Sequence, residues 1–121
     1  MINVTTSWSL PTRYTAVQEF AYFNSSAAAL TDGAADNIPS AKVSGSANGA
    51  AFAAFTGASP FAAGSSLQIF STDPAGGNNQ NNGGNNTQTR SDTLSLRIDT
   101  TGLNLPAGTY TGILNIRAQA F

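Results

Sequence analysis

Strict alternation of apolar and polar residues governs both ends of this 121-residue chain, and no 3.6-residue period replaces it in between. In the first ten residues Ile2, Val4, Thr6, Trp8 and Leu10 share one parity, while Asn3, Thr5, Ser7 and Ser9 share the other. A period of two sends successive side chains to opposite faces, so this segment predicts a strand with one buried face, closed by Pro11. The last strand is expected to run from 109 to the final residue. There Tyr110, Gly112, Leu114, Ile116, Ala118 and Ala120 lie on one face, with Thr111, Asn115, Arg117 and Gln119 on the other. Ile113 and Phe121 are apolar intrusions on that polar face.

Between these ends, further strands are expected over 14–23, with a register fault near 17–19, and over 42–47, 50–55, 66–70 and 93–99. In the last of these Leu94, Leu96 and Ile98 point inward, and Ser95, Arg97 and Asp99 outward. Asn48-Gly49 separates two of the segments and is the pair preferred in a type I′ hairpin, whose two central residues both need positive φ. The small, polar stretch 24–37 predicts a long crossing connection with one helical turn at 27–30. The Asn- and Gly-rich stretch 74–86 has no apolar surface to bury and predicts a flexible exposed loop. About seven short strands at this spacing predict an all-β, immunoglobulin-like sandwich, with residues 1–121 forming one domain.

Composition narrows the function. The chain contains 20 Ala, 14 Thr, 13 Ser, 12 Gly and 12 Asn but no His and no Cys. That removes histidine acid–base chemistry, His or thiolate metal sites and disulfides. Charged residues make up 9%, against about 25% in an ordinary soluble domain, and the formal net charge is −1. Five scattered cations give no footprint for nucleic acid, and no segment approaches the roughly 20 apolar residues of a membrane span. Few charges also lower the desolvation cost of packing subunit on subunit, a pattern we associate with extracellular structural proteins. Met1-Ile-Asn-Val4 has neither a basic nor a continuous apolar leader region, so we expect the numbering to begin at a processed or recloned mature end.

No catalytic residues are expected. Glu19 is the sole glutamate, and Asp32, Asp36, Asp73, Asp92 and Asp99 are mostly in or beside turns, so no carboxylate pair flanking a cleft is marked out. Asp32, Asp36 and Asn37 offer oxygens to a calcium ion but lack the alternate-residue spacing of an EF-hand loop, which favours a turn with self-bonded side chains. No cofactor or metal site is assigned. The sequons at Asn3, Asn24 and Asn85 are expected by chance in a chain so rich in Asn, Ser and Thr.

The connection from Leu103 to Tyr110 carries a further signal. Tyr110 follows a Pro/Gly turn and heads an alternating strand, the place of the tyrosine that caps the E–F corner of immunoglobulin-like sandwiches by bonding its hydroxyl to upstream backbone. On that reading residues 109–121 form strand F, and no strand G follows. The uncharged edge beside F is then open to pairing. Two segments can fill it: residues 1–10 of a neighbouring copy, giving a head-to-tail polymer, or the same residues of its own chain, giving a monomer. Strand counting and the Asn48-Gly49 hairpin favour different answers, and the sequence leaves both open.

The closing run Leu105-Pro-Ala-Gly-Thr-Tyr-Thr-Gly-Ile-Leu-Asn-Ile-Arg-Ala118 resembles the C-terminal strand of secreted bacterial pilin-type domains. It is most similar to the spore-coat-protein-U-like subunits of archaic chaperone–usher pili, which end in a comparable Gly-Thr-Tyr-Thr and an alternating strand. The likeness covers about 14 of the 121 residues. It implies that Ile2, Val4, Thr6, Trp8 and Leu10 are donor-strand residues and that Tyr110, Leu114, Ile116 and Ala118 line the acceptor groove. It also implies a bacterial cell-surface location, other copies of the chain as partner and an assembly chaperone. The plainer alternative is one core strand packing on another.

The expectation is therefore a non-enzymatic subunit of an extracellular filament that polymerises through its N-terminal strand. Burying Ile2, Val4, Trp8 and Leu10 contributes roughly 6–10 kcal/mol gross before ordering costs. The alternative is a monomeric secreted adhesive or carbohydrate-binding immunoglobulin-like module, with its exposed aromatics clustered on one face away from Trp8, whose place inside a strict alternation favours core or groove burial over sugar stacking.

Overall fold

A computed structural model describes residues 1–57, 61, 65–75, 80–82 and 84–121. Ten strands appear among them: β1 (Ile2–Pro11), β2 (Val17–Phe23), β3 (Leu30–Thr31), β4 (Asn37–Ile38), β5 (Val43–Ala47), β6 (Ala53–Ala54), β7 (Ser66–Thr72), β8 (Gln80–Asn82), β9 (Asn85–Ile98) and β10 (Leu114–Ala120). The helical element among the described residues is a single 3-10 turn at Ser40–Lys42, so none is long and apolar enough to cross a membrane.

The strands form an all-β sandwich. One sheet has the order β1-β9-β5-β6, with β8 also paired to β9; the other has the order β10-β2-β7; β3 and β4 make a separate small hairpin. Inward residues of both sheets meet in one core. Trp8, Val43 and Leu94 come from the first sheet and Val17, Ala21, Phe23, Ile69 and Phe70 from the second. Trp8 stacks on Phe70 across the sandwich at 6.3 Å between ring centroids, and Phe23 meets the fully buried Phe55 at 5.0 Å. The loop residue Phe61 packs on the outer face of the second sheet, against Phe20 and Tyr22.

Turn chemistry explains the hairpin between β5 and β6. Asn48 and Gly49 have φ of 53° and 77°, and the Ala50 amide donates to the Ala47 carbonyl at 3.0 Å. The Asn48 side chain adds tertiary bonds, donating to Asp92 Oδ1 at 2.7 Å and accepting from the Thr93 amide at 3.0 Å. The Asp32 carboxylate accepts from the amides of Ala34 and Asp36, so the turn joining β3 and β4 is self-bonded.

Several boundaries differ from expectation. No helical turn forms at 27–30, where the chain instead enters β3. The register fault in β2 lies between Glu19 and Phe20, against β7. Within 74–86, residues 80–82 pair with 85–87 as a hairpin extending β9, while 76–79 and 83 lie outside the described residues. β10 begins at Leu114, not at 109, because the preceding residues are tied elsewhere. Thr31 and Thr111 exchange two backbone hydrogen bonds of 2.8 and 2.9 Å, and a Cβ on Gly112 would lie 1.9 Å from the Ala29 carbonyl oxygen. Only glycine permits that approach.

Candidate assembly groove

β1 is an edge strand. It pairs antiparallel with β9 over its whole length, from Ile2 opposite Leu94 to Pro11 opposite Asn85. The sequence placed this segment beside the C-terminal strand; within one chain its hydrogen-bond partner is β9. Hydroxyl pairs line its outer face, with Ser7 against Thr89 at 2.9 Å and Thr87 donating to Ser9 at 3.0 Å. On the inner face Trp8 is buried and its Nε1 donates to the Pro74 carbonyl at 2.9 Å. Ile2, Val4, Thr6 and Leu10 point the same way but are only half-buried, whereas Asn3, Thr5, Ser7 and Ser9 are exposed. The parity read from sequence is the parity of the strand.

β10 is an edge strand of the opposite sheet. It pairs with β2 from Leu114 opposite Phe23 to Ala120 opposite Val17, and among the described residues no strand pairs with its other side. Its far end is clamped by the Phe121 carbonyl, which accepts from the amides of Thr15 and Ala16 at 2.7 and 3.3 Å. Leu114, Ile116 and Tyr110 are half-buried against the core, while Ala118 is exposed. Ile113 and Phe121, the apolar intrusions on the polar face, are 65% and 44% exposed in the single chain. The Tyr110 hydroxyl donates to the Pro106 carbonyl at 2.9 Å, the upstream bond expected of a tyrosine corner. Partial burial raises the Tyr110 pKa, and the nearby Asp36 and Asp32 carboxylates add to the effect.

The two edges face each other across the side of the sandwich. Between them lies a cleft of about 180 Å³ walled by Thr6, Trp8 and Leu10 of β1, Val17 of β2, and Ala118 and Ala120 of β10. Of the inferred donor and acceptor residues, Thr6, Trp8, Leu10 and Ala118 line this cleft, whereas Ile2, Val4, Tyr110, Leu114 and Ile116 lie outside its lining. A second cavity of about 510 Å³ lies at the head of β10, beside Ala29, Thr31, Gly112 and Ile113.

Leu96 and Ile98 lie on the inward parity but are 41% and 46% exposed. β1 ends opposite Leu94, so β9 runs on past it with β5 on one side alone.

Sequence reading missed the polar interior behind the groove. Glu19 of β2 and Asp92 of β9 are 2% and 1% exposed. Asp92 accepts from Arg90 Nε at 2.8 Å and also from Arg90 Nη2, while the Arg90 guanidinium stacks over the Phe70 ring at 4.0 Å. Hydrogen bonding from Arg90, with help from Asn48, holds the Asp92 carboxyl below its ordinary pKa. Glu19 Oε2 accepts from the Thr6 hydroxyl. Burial pushes the Glu19 carboxyl above its ordinary value, the Asp92 charge pushes the same way, and the Thr6 bond and Arg90 oppose them. The parity that sends Leu94 inward, continued back along β9, also sends Asp92, Arg90 and Gln88 inward; that was the available signal.

Among the described residues no three acidic, His or Cys side chains are grouped to hold a metal ion. No protein-family model, curated protein or solved structure matches the chain.

Proposed function

We propose that this protein is the structural subunit of an extracellular filament, an immunoglobulin-like sandwich in which none of the described strands pairs with the free side of β10 and which polymerises by exchanging β1 between copies. The observation that carries this reading is the edge of β10, unpaired among the described residues, facing β1 across a cleft that reaches Trp8 and Val17. An uncovered edge bordering a half-closed core is a site for strand addition.

β1 is the donor because it lies at a sheet edge and is joined to β2 by the short connection 12–16. The seat between β9 and β10 of the next copy receives it. Ile2, Val4, Thr6, Trp8 and Leu10 point into the core there, and Tyr110, Leu114, Ile116 and Ala118 line the facing wall. Such contacts are head-to-tail and do not close, so they grow a filament.

The full-length pairing of β1 on its own β9 favours a second reading, a monomeric secreted adhesive or carbohydrate-binding module. Electron microscopy and light scattering of the native protein separate the two. We expect filaments from the wild type and none from Ala118→Glu, which places a charge on the groove wall at an exposed position the fold tolerates. Wild-type protein that remains a 12.3 kDa monomer across concentration overturns the filament reading.

A further inference from the structure

The inward carboxyl of Glu19 is an unusual anchor for an edge strand. It sits on β2, in the opposite sheet from β1, yet Thr6 of β1 donates to its Oε2 across the sandwich. Its other oxygen, Oε1, is buried without a hydrogen-bond partner, and the same holds for Oε1 of Gln88, an inward residue of β9 opposite Trp8. Both orphans are acceptors. A buried acceptor without a donor costs free energy, and a proton on Glu19 Oε1 turns one acceptor into a donor.

The surrounding charges favour that proton. β9 presents Arg90 and Asp92 to Glu19, and Arg90 is already committed to Asp92 through two hydrogen bonds. β1 contributes the neutral Thr6. In register β10 opposes Glu19 with Ala118 and β7 with Phe70, neither of which titrates. An ionised Glu19 would therefore be a second carboxylate beside one guanidinium, shut away from water.

We infer that a proton on the Glu19 carboxyl locks β1 into the sandwich, and that losing it loosens β1 and licenses strand exchange. The gating of exchange rests on the filament reading above; the lock on β1 stands without it. The direction follows from linkage. Burial raises the Glu19 pKa in the closed state, and opening of β1 returns the group to water and to its ordinary value. The closed form is thus fully favoured below that ordinary value and loses its advantage as pH rises to the raised one. Over that interval the open population grows by up to about tenfold per pH unit, then levels off.

Amide hydrogen exchange of the full chain from about pH 4 to pH 8 tests the lock, read as protection factors so that intrinsic exchange is divided out. β1 amides should lose protection relative to Ile69 and Phe70 of β7 as pH rises, and Glu19→Gln, which is neutral throughout, should abolish the trend. If Glu19→Gln does not fold, acrylamide quenching of Trp8, the sole indole and a β1 residue, follows the same opening in the wild type against Thr6→Val, in which the Glu19–Thr6 anchor is absent. β1 protection independent of pH in the wild type, an unchanged pH trend in Glu19→Gln, or a Thr6→Val opening that does not level off at higher pH than the wild type, as loss of the bond opposing the Glu19 rise requires, overturns the lock. A pH-dependent β1 in a protein that stays monomeric at every pH keeps the lock and sinks the filament.

Discussion

Trp8 joins core and groove in one side chain. One face of the indole stacks on Phe70, its Nε1 is satisfied by Pro74, and its flank forms part of the cleft. Trp8→Ala should cost about 3–5 kcal/mol in urea unfolding, the range for emptying a large aromatic site; a loss below about 1 kcal/mol would place it outside the core. Gly112→Ala should cost about 1–3 kcal/mol, because the new methyl displaces the Ala29 carbonyl and with it the Thr31–Thr111 bonds; unchanged stability would mean that the crossing segment yields freely. Asp92 behaves oppositely to Glu19. Arg90 holds its pKa down, so the stability it contributes is present above the ordinary carboxylate range and is lost as pH falls through the lowered value. Stability should therefore peak around the ordinary carboxylate range, falling below it as Asp92 takes up a proton and above it as Glu19 loses one. Acid unfolding should shift upward in pH for Arg90→Gln, and an unshifted curve would remove Arg90 as the cause. Burial of Trp8 was legible from parity alone. Glu19 and Asp92 were not read as inward, because charges are usually solvated and pairing with Arg90 or Thr6 depends on which strands become neighbours.

Elements set by local chemistry were the most legible. The Asn48-Gly49 turn follows from the positive φ that Asn and Gly tolerate, and the structure adds the bonds from Asn48 to Asp92 and Thr93. Asn48→Ala should cost about 2 kcal/mol, combining backbone strain with a lost bond to a charged group. Asn48→Gly should cost less, since it keeps the turn and loses only the bonds; equal losses would show that the side-chain bonds carry the whole effect. Alternation gave the faces of β1 correctly and those of β10 in part, since Leu114, Ile116 and Ala120 are half-buried but Ala118 is exposed. It could not give their partners, because period two fixes which way a side chain points and says nothing of which strand lies beside it. The late start of β10 escaped for a similar reason, since the Thr31–Thr111 pairing joins residues far apart in sequence. The stretch 80–87 lacks apolar residues, and its pairing rests on backbone hydrogen bonds that composition does not reveal.

At the scale of the whole molecule the sandwich is sealed unevenly. β5 and β7 flank a side where Val43, Phe55, Ile69 and Leu94 are buried, whereas β1 and β10 border one where Ile2, Leu10, Leu114 and Ile116 remain half-exposed. The all-β class follows from the sequence, but the seat of β1 emerged only from the pairing of β9. The proposed exchange of β1 would preserve that pairing, turning register partners within one copy into register partners between copies. Ser7 and Thr89 are such partners, with side-chain oxygens 2.9 Å apart, and the chain has no cysteine to interfere. Opposed residues of an antiparallel pair lie about 4.5–5.5 Å apart at Cα, within reach of a disulfide. The decisive measurement is a non-reducing denaturing gel of the Ser7→Cys/Thr89→Cys protein, assembled under reducing conditions and then oxidised. Strand exchange predicts a ladder of covalently joined subunits; a single monomer band with the cysteines fully oxidised would show that each β1 stays on its own β9 and would contradict the account.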